Sequence, residues 1–424
     1  MTEASRVSAI VVSYHTGAPL ADCLDRLEAD PAVRDVIVVD NGNRPEVMTA
    51  LHARAARSPK VTLVTGHGNI GFSRGCNLGA AQAGGDYFAF INPDVQIEPG
   101  CLDALCAAAD GARKPCVIGA RILWPDGREQ RGGRRDLITP WRAFVSAFGL
   151  GKLETRSALF RDLHRERDPV PDGPLRVGAV SGAAMLLPRP SFAALGGFDE
   201  KYFLHVEDVD ICRRAAEAGG ETLFAPRALA LHHRSTSETT SFKVERAKAA
   251  SFARYFFKFA RTPLDFLAAC VVTPPLALGF VARGLVRDIR KKGGASNEAL
   301  MFFLFGLVGA LAFVVDSLVL KLMLGAGLSS AAGRVISLFV SMNFTFALNR
   351  AFVFTRFRAA PLAQQWALYL ASNTLGALVN LAVFLALTAP GAILAGRPIL
   401  GVACGSIAGL AFNFTASRLT AFRR

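Results

Sequence analysis

The chain has 424 residues, 51% of them hydrophobic and 19% charged, with a formal net charge of +14. That composition excludes an ordinary soluble globular protein and implies two domains with a membrane part. The charge suits anionic lipid or anionic substrates rather than nucleic acid, because the basic residues form neither a helix stripe nor an aromatic-interleaved sheet motif. Eight scattered cysteines without a C-x-x-C pair read as reduced thiols, not as disulfides or a zinc site. The first residues lead into a strand, and no cleavable signal peptide is expected.

In chain order, residues 7–14 read as a buried strand, and 19–29 as a helix with Leu20, Cys23, Leu24 and Leu27 on one face. Residues 35–40 form a second buried strand ending in Asp40-Asn-Gly; 47–56 is helical and 61–64 is a strand. Gly66 to Gly79 is glycine-rich and opens a helix, and 87–91 is a strand followed by Asn92-Pro-Asp94. Strands alternating with helices predict a parallel α/β sheet, whose ligands bind beyond the carboxyl ends of the strands. Ser13, Asp40 and Asp94 stand at such ends. Further on, Val180 to Pro188 is an apolar strand with a Ser-Gly-Ala-Ala step, followed by a Gly196-Gly197 turn. Glu207, Asp208 and Asp210 then sit in the first turn of a helix. Carboxylates are ordinary there, because a helix N-terminus carries partial positive charge. Three of them after an aromatic segment (Tyr202, Phe203) also suit a general base. Asp210 is spaced to pair with Arg214 at i,i+4.

Residues 121–176 are dense in arginine, including Arg128, Arg131, Arg134, Arg135 and Arg142, with weak periodicity. They suit equally a solvated loop and a lid or anion-facing surface. Residues 243–260 mix Lys and Arg with Phe252, Tyr255, Phe256 and Phe259, which predicts a basic amphipathic helix in the membrane interface. Residues 264–282 are apolar apart from Asp265 but broken by Pro274-Pro275; they could span, re-enter or lie along the surface, and an interfacial or re-entrant segment before a basic linker is the preferred reading. Four stretches, 299–320, 331–349, 366–388 and 398–417, approach the ~20 residues that a helical span needs. Arg287, Arg290, Lys291, Lys292, Arg350, Arg356, Arg358, Arg418, Arg423 and Arg424 lie on one side, against Lys321, Arg334 and Arg397 on the other. That asymmetry puts both ends and the middle loop in the cytoplasm. Asn343-Phe-Thr and Asn413-Phe-Thr, each followed by Arg-x-x-x-Phe, mark a parallel repeat of two spans. Asn343, Asn373, Asn380 and Asn413 read as glue between helices, and Asp316 as a candidate for something more.

Residues 7–245 resemble the family 2 glycosyltransferases of the rhamnosyltransferase-like type. The resemblance rests on Val11-Val-Ser-Tyr14, Val38-Val-Asp-Asn41, Asn69 to Asn77, Phe90-Ile-Asn-Pro-Asp-Val95, Gly182, Gly197-Phe-Asp-Glu200, Glu207 to Arg214, and Pro226 with His232-His233. Residues 299–424 resemble the GtrA family, four-span membrane proteins linked to polyprenyl-phosphate sugars, by topology and by the Asn-Phe/Arg/Phe span ends. Together they imply three parts. An α/β GT-A domain (a Rossmann-like nucleotide-diphospho-sugar transferase fold) covers 1–245. An amphipathic connector covers 246–298, and an all-α four-span transmembrane domain covers 299–424.

The resemblance implies a nucleotide-sugar donor, Mg²⁺ or Mn²⁺, and inversion at the anomeric carbon, with dTDP-rhamnose as the suggested donor. It places the donor against Ser13, Asp40, Asn69, Arg74, Asn77 and Asn92. The competing reading of Asp40, a turn-forming Asp-Asn-Gly, is the less favoured of the two. Asn92-Pro-Asp94 stands where the family has Asp-x-Asp, so Asp94 becomes the main metal carboxylate, completed by His232 or, alternatively, His233. Asp208 matches the catalytic base, while Asp199, Glu200 and Glu207 lie toward the acceptor. A base favours a hydroxyl acceptor on a polyprenyl-linked saccharide, since a polyprenyl phosphate oxygen is already ionised. The expected protein is an enzyme of the inner (cytoplasmic) membrane, its catalytic domain in the cytoplasm, in surface-glycan synthesis. The alternatives are a polyprenyl-phosphate glycosyltransferase and, in another class, transport of lipid-linked sugar by the GtrA-like part.

Overall fold

The computed structural model describes residues 6–148, 150–233, 240–291, 297–354 and 361–421. Arg356, Arg358, Phe422, Arg423, Arg424 and Lys292, used above for topology and the repeat, lie outside the described residues, as do the side chains of Arg290 and Lys291. The chain divides into two compact units, one reaching Thr273 and one from Pro274 onward, with 147–149 assigned to the second.

The first unit begins with β1 (Val7–Ser13), α1 (Pro19–Ala29), β2 (Val33–Asp40), α2 (Pro45–Arg57), β3 (Val61–Val64), α3 (Phe72–Gln82) and β4 (Tyr87–Ile91). It continues with β5 (Val95–Ile97), α4 (Cys101–Asp110), β6 (Cys116–Leu123), β7 (Arg134–Arg135), α5 (Pro140–Phe148), β8 (Leu175–Arg176), β9 (Ala179–Val180) and β10 (Ala184–Pro188). After these come α6 (Arg189–Ala194), α7 (Glu207–Glu217), β11 (Glu221–His232) and α8 (Ser241–Lys258). Among the described residues, nine strands form one mixed sheet in the order β3-β2-β1-β4-β10-β6-β11-β5, with β8 on β11. The parallel β3-β2-β1-β4 half is the α/β pattern expected from the alternating elements. β10 runs antiparallel between β4 and β6. Strand residues pointing to one face (Val7, Ala9, Val11) bury against Leu20, Leu24 and Leu27 of α1 and Leu102 and Leu105 of α4. On the other face, Phe88 and Phe90 of β4 pack edge-on or tilted against Phe192 of α6 and Phe198. The sheet is therefore covered on both sides, as its near-continuous apolar strands require.

The arginine-rich insert is folded. β7 pairs with β9 as a two-strand ribbon. Its two arginines point opposite ways, as successive strand residues do. Arg134 is buried against Glu129 at 2.8 Å and donates to the Asp168 carbonyl at 2.6 Å. Asp136 gathers Arg142 at 2.8 Å and Arg165 at 2.7 Å. A large part of the positive charge is thus matched within the insert itself.

Helix α8 corrects the interfacial expectation. Tyr255, Phe256 and Phe259 are buried in protein, where a membrane-surface helix would present them to lipid. Ser251 donates to the Leu204 carbonyl at 2.9 Å, and the Arg213 guanidinium lies over the Phe259 ring. An amphipathic pattern specifies a buried face without saying what buries it.

The next helix, α9 (Pro263–Lys291), runs unbroken through Pro274 and Pro275, so the expected break is absent. Its stretch Pro263–Leu285 has the length and apolarity to cross a membrane. The second unit then holds α10 (Asn297–Gly325), α11 (Ser330–Leu348), α12 (Leu362–Thr388) and α13 (Pro398–Leu419). Three of these pass the same test outright, and α13 passes as a bent pair. Arg334, counted above as a loop charge, is instead fully buried in α11. It pairs with Asp316 at 2.6 Å and donates to Asn380 Oδ1 at 2.5 Å. Asp316 is therefore half of an ion pair, which lowers the cost of both charges in an apolar bundle. Asn373 bridges α12 to Ser417 of α13 at 3.0 Å, in the gluing role expected of it.

Candidate active site

The carboxyl ends of β1, β2 and β4 meet the start of β10 along one edge of the sheet. The Asn92 amide donates to the Ala183 carbonyl at 2.8 Å, which brings the Asn92-Pro-Asp94 step beside the Ser181-Gly182 step. Asp94 and His232 are both buried, with Nε2 of His232 3.2 Å from Oδ1 of Asp94. Gln130 sets the ring. Its Nε2 donates to the His232 carbonyl at 2.7 Å, so its Oε1, 3.0 Å from Nδ1, takes the proton there. Nε2 is then the ring nitrogen left on the Asp94 side, available to a cation. A carboxylate oxygen and an imidazole nitrogen, the latter oriented by a hydrogen bond on its far nitrogen, form a donor set that fits a divalent cation. The His233 side chain is exposed and only its amide meets Asp94, donating to the carbonyl at 3.1 Å, whereas His232 brings its ring to the Asp94 carboxylate. Among the described residues no group of three or more His, Cys, Asp or Glu converges as a metal cage.

Asp208 opens α7. The backbone before it is forced: His205 and Val206 take φ of 68° and 72°, costly for any side chain and most of all for β-branched valine. That turn aims the Asp208 carboxylate at the Gly182 amide, 3.0 Å from Oδ2. A Cβ on Gly182 would sit 3.2 Å from Asp208 Cβ, so a side chain there would push Asp208 by a few tenths of an ångström. Arg135 closes the site from the β7–β9 ribbon, its Nη2 2.5 Å from Asp208 Oδ2 and 2.8 Å from the Val180 carbonyl. The Asp208 side chain keeps 14% of its surface exposed, enough for a substrate to reach.

The two adjacent carboxyls are pushed apart. Burial would raise Asp208, but the Arg135 charge and the Arg135, Gly182 and Val209 hydrogen bonds outweigh it and hold this group below the usual carboxylate range. Glu207 is buried, and burial followed by the Asp208 charge pushes it up to about 8. Its Oε2 has no hydrogen-bond partner. At neutral pH one carboxyl is ionised and its neighbour keeps its proton, the pattern that separates acid and base roles.

The other expected site residues fall into two groups. Asp199 accepts from Arg254 Nη2 at 2.6 Å and Lys258 Nζ at 2.8 Å, both on α8. Buried Asp210 accepts from Tyr202 at 3.1 Å, from Arg214 at 2.7 Å as its spacing predicted, and from Lys258 at 2.5 Å. Asn77 grips the same turn through the Phe198 backbone, and Arg74 pairs with Glu200 at 3.3 Å. Phe72 donates from its backbone to the Phe203 carbonyl at 2.8 Å, so the 196–205 segment is moored to both α3 and α8. On the donor side, Ser13 is buried and donates to Asn43 Oδ1 at 3.0 Å. Asp40 Oδ1 accepts from the Gly42 and Asn43 amides at 3.0 and 2.8 Å, and Oδ2 from Thr65 at 3.0 Å. In this structure Asp40 holds its own turn. Asn69 is exposed and caps the Gly71 amide at 3.1 Å. Arg135, Gln130 and Lys258 carry geometry that the sequence reading did not single out. An adjacent arginine pair in an alternating segment was the one available signal for the first.

Comparison with known proteins decides the family. Residues 8–166 match the family model described as glycosyl transferase family 2. Over 240 residues the chain is 32% identical to an N-acetylglucosaminyl-diphospho-decaprenol L-rhamnosyltransferase of Mycobacterium tuberculosis, covering 54% of this chain and 76% of that protein. The chain belongs to the family 2 glycosyltransferases. This glycosyltransferase is also 24% identical over 235 residues to the rhamnosyltransferase WbbL of Escherichia coli, covering 53% of this chain and 82% of that one. Residues 304–423 match the GtrA/DPMS transmembrane domain. With its apolar helices, that makes the enzyme a membrane protein: a GT-A-like domain followed by a helical membrane domain. Among solved structures, a mannosyltransferase from Pyrobaculum calidifontis in complex with GDP-Man and Mn²⁺ aligns with a TM-score of 0.42 and 15% identity, over 81% of this chain and 85% of that one.

Proposed function

We propose that this glycosyltransferase moves rhamnose from dTDP-rhamnose to a hydroxyl of a polyprenyl-diphosphate saccharide, with inversion, on the cytoplasmic face of the inner membrane. The observation that carries the reading is Asp208: an ionised, partly exposed carboxylate beside a proton-bearing Glu207, at the sheet edge where the donor is expected. A hydroxyl acceptor needs such a base, whereas a phosphate acceptor does not. The name of the Mycobacterium tuberculosis relative supports the same donor sugar and acceptor class.

The acceptor oxygen attacks C1 of the donor sugar opposite the diphosphate. Its proton passes to Asp208, the bond from C1 to the diphosphate oxygen breaks, and the nucleoside diphosphate leaves with that electron pair. Attack from the opposite face inverts C1. Ser13, Asp40 and Asn92 line the donor edge, and Asn69, Arg74 and Asn77 border it. Asp94 and His232 would hold Mg²⁺ or Mn²⁺, which supplies positive charge to the departing diphosphate. Glu207, protonated, keeps a second negative charge away from the base.

A polyprenyl-phosphate acceptor is the second reading, favoured by the GtrA/DPMS match at 304–423. The test uses purified full-length protein, labelled dTDP-rhamnose, and either polyprenyl phosphate or N-acetylglucosaminyl-diphospho-polyprenol. Transfer to the second acceptor, reduced by roughly 100-fold or more in Asp208→Asn, is expected. Transfer to polyprenyl phosphate alone would hand the case to the second reading, and full activity in Asp208→Asn would remove the base.

A further inference from the structure

We propose that Arg135 has two alternative partners: Asp208 when the acceptor site is empty, and the diphosphate of the lipid-linked acceptor when it is filled. The proposal deepens the hydroxyl-acceptor reading and rests on it. The starting point is a conflict. Asp208 is placed as a base, yet the Arg135 guanidinium sits 2.5 Å from its Oδ2. A carboxylate bound to a guanidinium is a weak base, because its negative charge is already compensated. Opening the pair strengthens the base, and another anion for Arg135 would open it.

The surroundings supply a place for that anion. Nη2 of Arg135 donates to the Val180 carbonyl and to Asp208, and its Nε is buried without a hydrogen-bond partner. The His164 backbone bridges to Arg135, and Nδ1 of His164 is likewise buried without a partner. Burial, then the charges of Arg131 and Arg135, with a contribution from Lys248 of α8, press the His164 ring toward neutrality. Cations from the 131–135 segment and α8 thus share the field of the His164 ring, and Arg135 joins that cluster to Asp208. Asp162 and Glu166 balance Arg131 at 3.5 and 4.0 Å, which leaves Arg135 the cation in direct contact with the base. A diphosphate offers oxygens to a guanidinium in the same forked geometry as a carboxylate and carries more charge. In an acceptor whose sugar is joined to lipid through a diphosphate, the anion lies one sugar ring from the attacking hydroxyl. Binding it draws Arg135 from Asp208 and restores the base only when an acceptor is present. Donor hydrolysis by water in an empty acceptor site is thereby suppressed.

The test compares two acceptors carrying the same sugar: N-acetylglucosaminyl diphosphate on a short prenyl chain, and N-acetylglucosamine joined directly to an alkyl chain without phosphate. Both are assayed with dTDP-rhamnose and full-length wild type, Arg135→Lys and Arg135→Met across pH. Wild type should favour the diphosphate acceptor in kcat/KM. Arg135→Met should lose roughly 10- to 100-fold on that acceptor, chiefly in KM, and little on the neutral one. Its acid limb on the neutral acceptor should move to higher pH, and Arg135→Lys should recover part of the preference. The titratable groups facing the pair are Glu207, Asp210 and Cys212 on α7, Cys76 of α3, which faces Glu207, and His164 beside Arg135. Glu207, Cys212 and His164 also feel the Arg135 charge and move upward with its loss in Arg135→Met, whereas Arg135→Lys keeps that charge, so the limb is read from the difference between the two variants. An equal loss on both acceptors, as from a folding defect, or an undiminished preference in Arg135→Met, overturns the proposal. Wild type that uses neither acceptor overturns the hydroxyl-acceptor reading, and this proposal with it.

Discussion

Residues 207 and 208 share one problem, since two carboxyls on successive residues of a buried helix start cannot both ionise cheaply. The structure resolves it by giving Arg135 and two amides to Asp208 and no partner to Glu207 Oε2. The consequences for pH have opposite signs. Glu207 is raised in the folded state, so its contribution to stability is full below its unfolded value and is lost as pH rises through about 8. Asp208 is depressed, so its contribution is present above its unfolded value and is lost as pH falls through the folded one. Glu207→Gln keeps the neutral shape. Wild type should lose activity and Tm above about pH 8; the variant should preserve kcat/KM near pH 7 and remove both declines. A wild-type profile that stays flat to pH 10, or a Glu207→Gln profile that still declines, would contradict the assignment. At this scale much was legible in advance. A carboxylate after a glycine turn at a helix start, and acids at strand ends, follow from local pattern. Arg135 did not, because its contact with Asp208 spans 73 positions and exists only once β7 pairs with β9. Asp40 shows the opposite limit: its Asp-Asn-Gly pattern is read in favour of a ligand contact, and here its oxygens are engaged by the turn and Thr65.

Among the elements, α8 is the one whose role differs most from its pattern. Lysine and arginine alternating with phenylalanine describe a membrane-surface helix and a helix laid on a protein alike. What separates the two is the pair of aspartates waiting for it, Asp199 and Asp210, which are far away in sequence. Lys258 binds both at 2.8 and 2.5 Å and so staples the turn before α7 to α7 itself. Asp210 is fully buried, and loss of one of its cations leaves charge poorly compensated. Lys258→Met should therefore cost about 1–3 kcal/mol in the catalytic unit. It should also lower kcat more than it raises the donor KM, measured by denaturant unfolding and steady-state kinetics. Unchanged stability with a raised donor KM would show that the staple is not structural. Helix α9 carries the same lesson. A double proline read from sequence as a break lies inside one continuous helix, because membrane-type helices tolerate proline where neighbouring groups satisfy the freed carbonyls.

For the whole molecule the open quantity is the number of crossings, because the length and apolarity of α9 allow one more than the four of the second unit. An odd count would put the catalytic unit and the C-terminus on opposite sides. Both flanks of α9 are basic, with Arg254, Lys258 and Arg261 before it and Arg283, Arg287, Arg290, Lys291 and Lys292 at or beyond its end. Each flank favours the cytoplasm. We therefore expect α9 to lie along the membrane and both chain ends to face the cytoplasm. A C-terminal fluorescent-protein fusion should be bright, and an alkaline phosphatase fusion at the same point inactive; the reverse result means that α9 crosses. The second unit also keeps its internal charge in register, since Asp316 and Arg334 cancel within the apolar bundle. Tolerance to changes in chain length is accordingly uneven. Between Arg142 and Arg161 the insert lies outside the two-strand ribbon, so a change of length there leaves the phase of Arg134 and Arg135 intact, although it disturbs the insert's own contacts, such as Arg165 with Glu154 at 3.3 Å. Immediately before Arg134 the phase itself is at stake. One extra residue would carry Arg134 into the place that faces Asp208 and draw it away from Glu129, so a single insertion at that point should exchange the roles of the two arginines rather than leave the base bare.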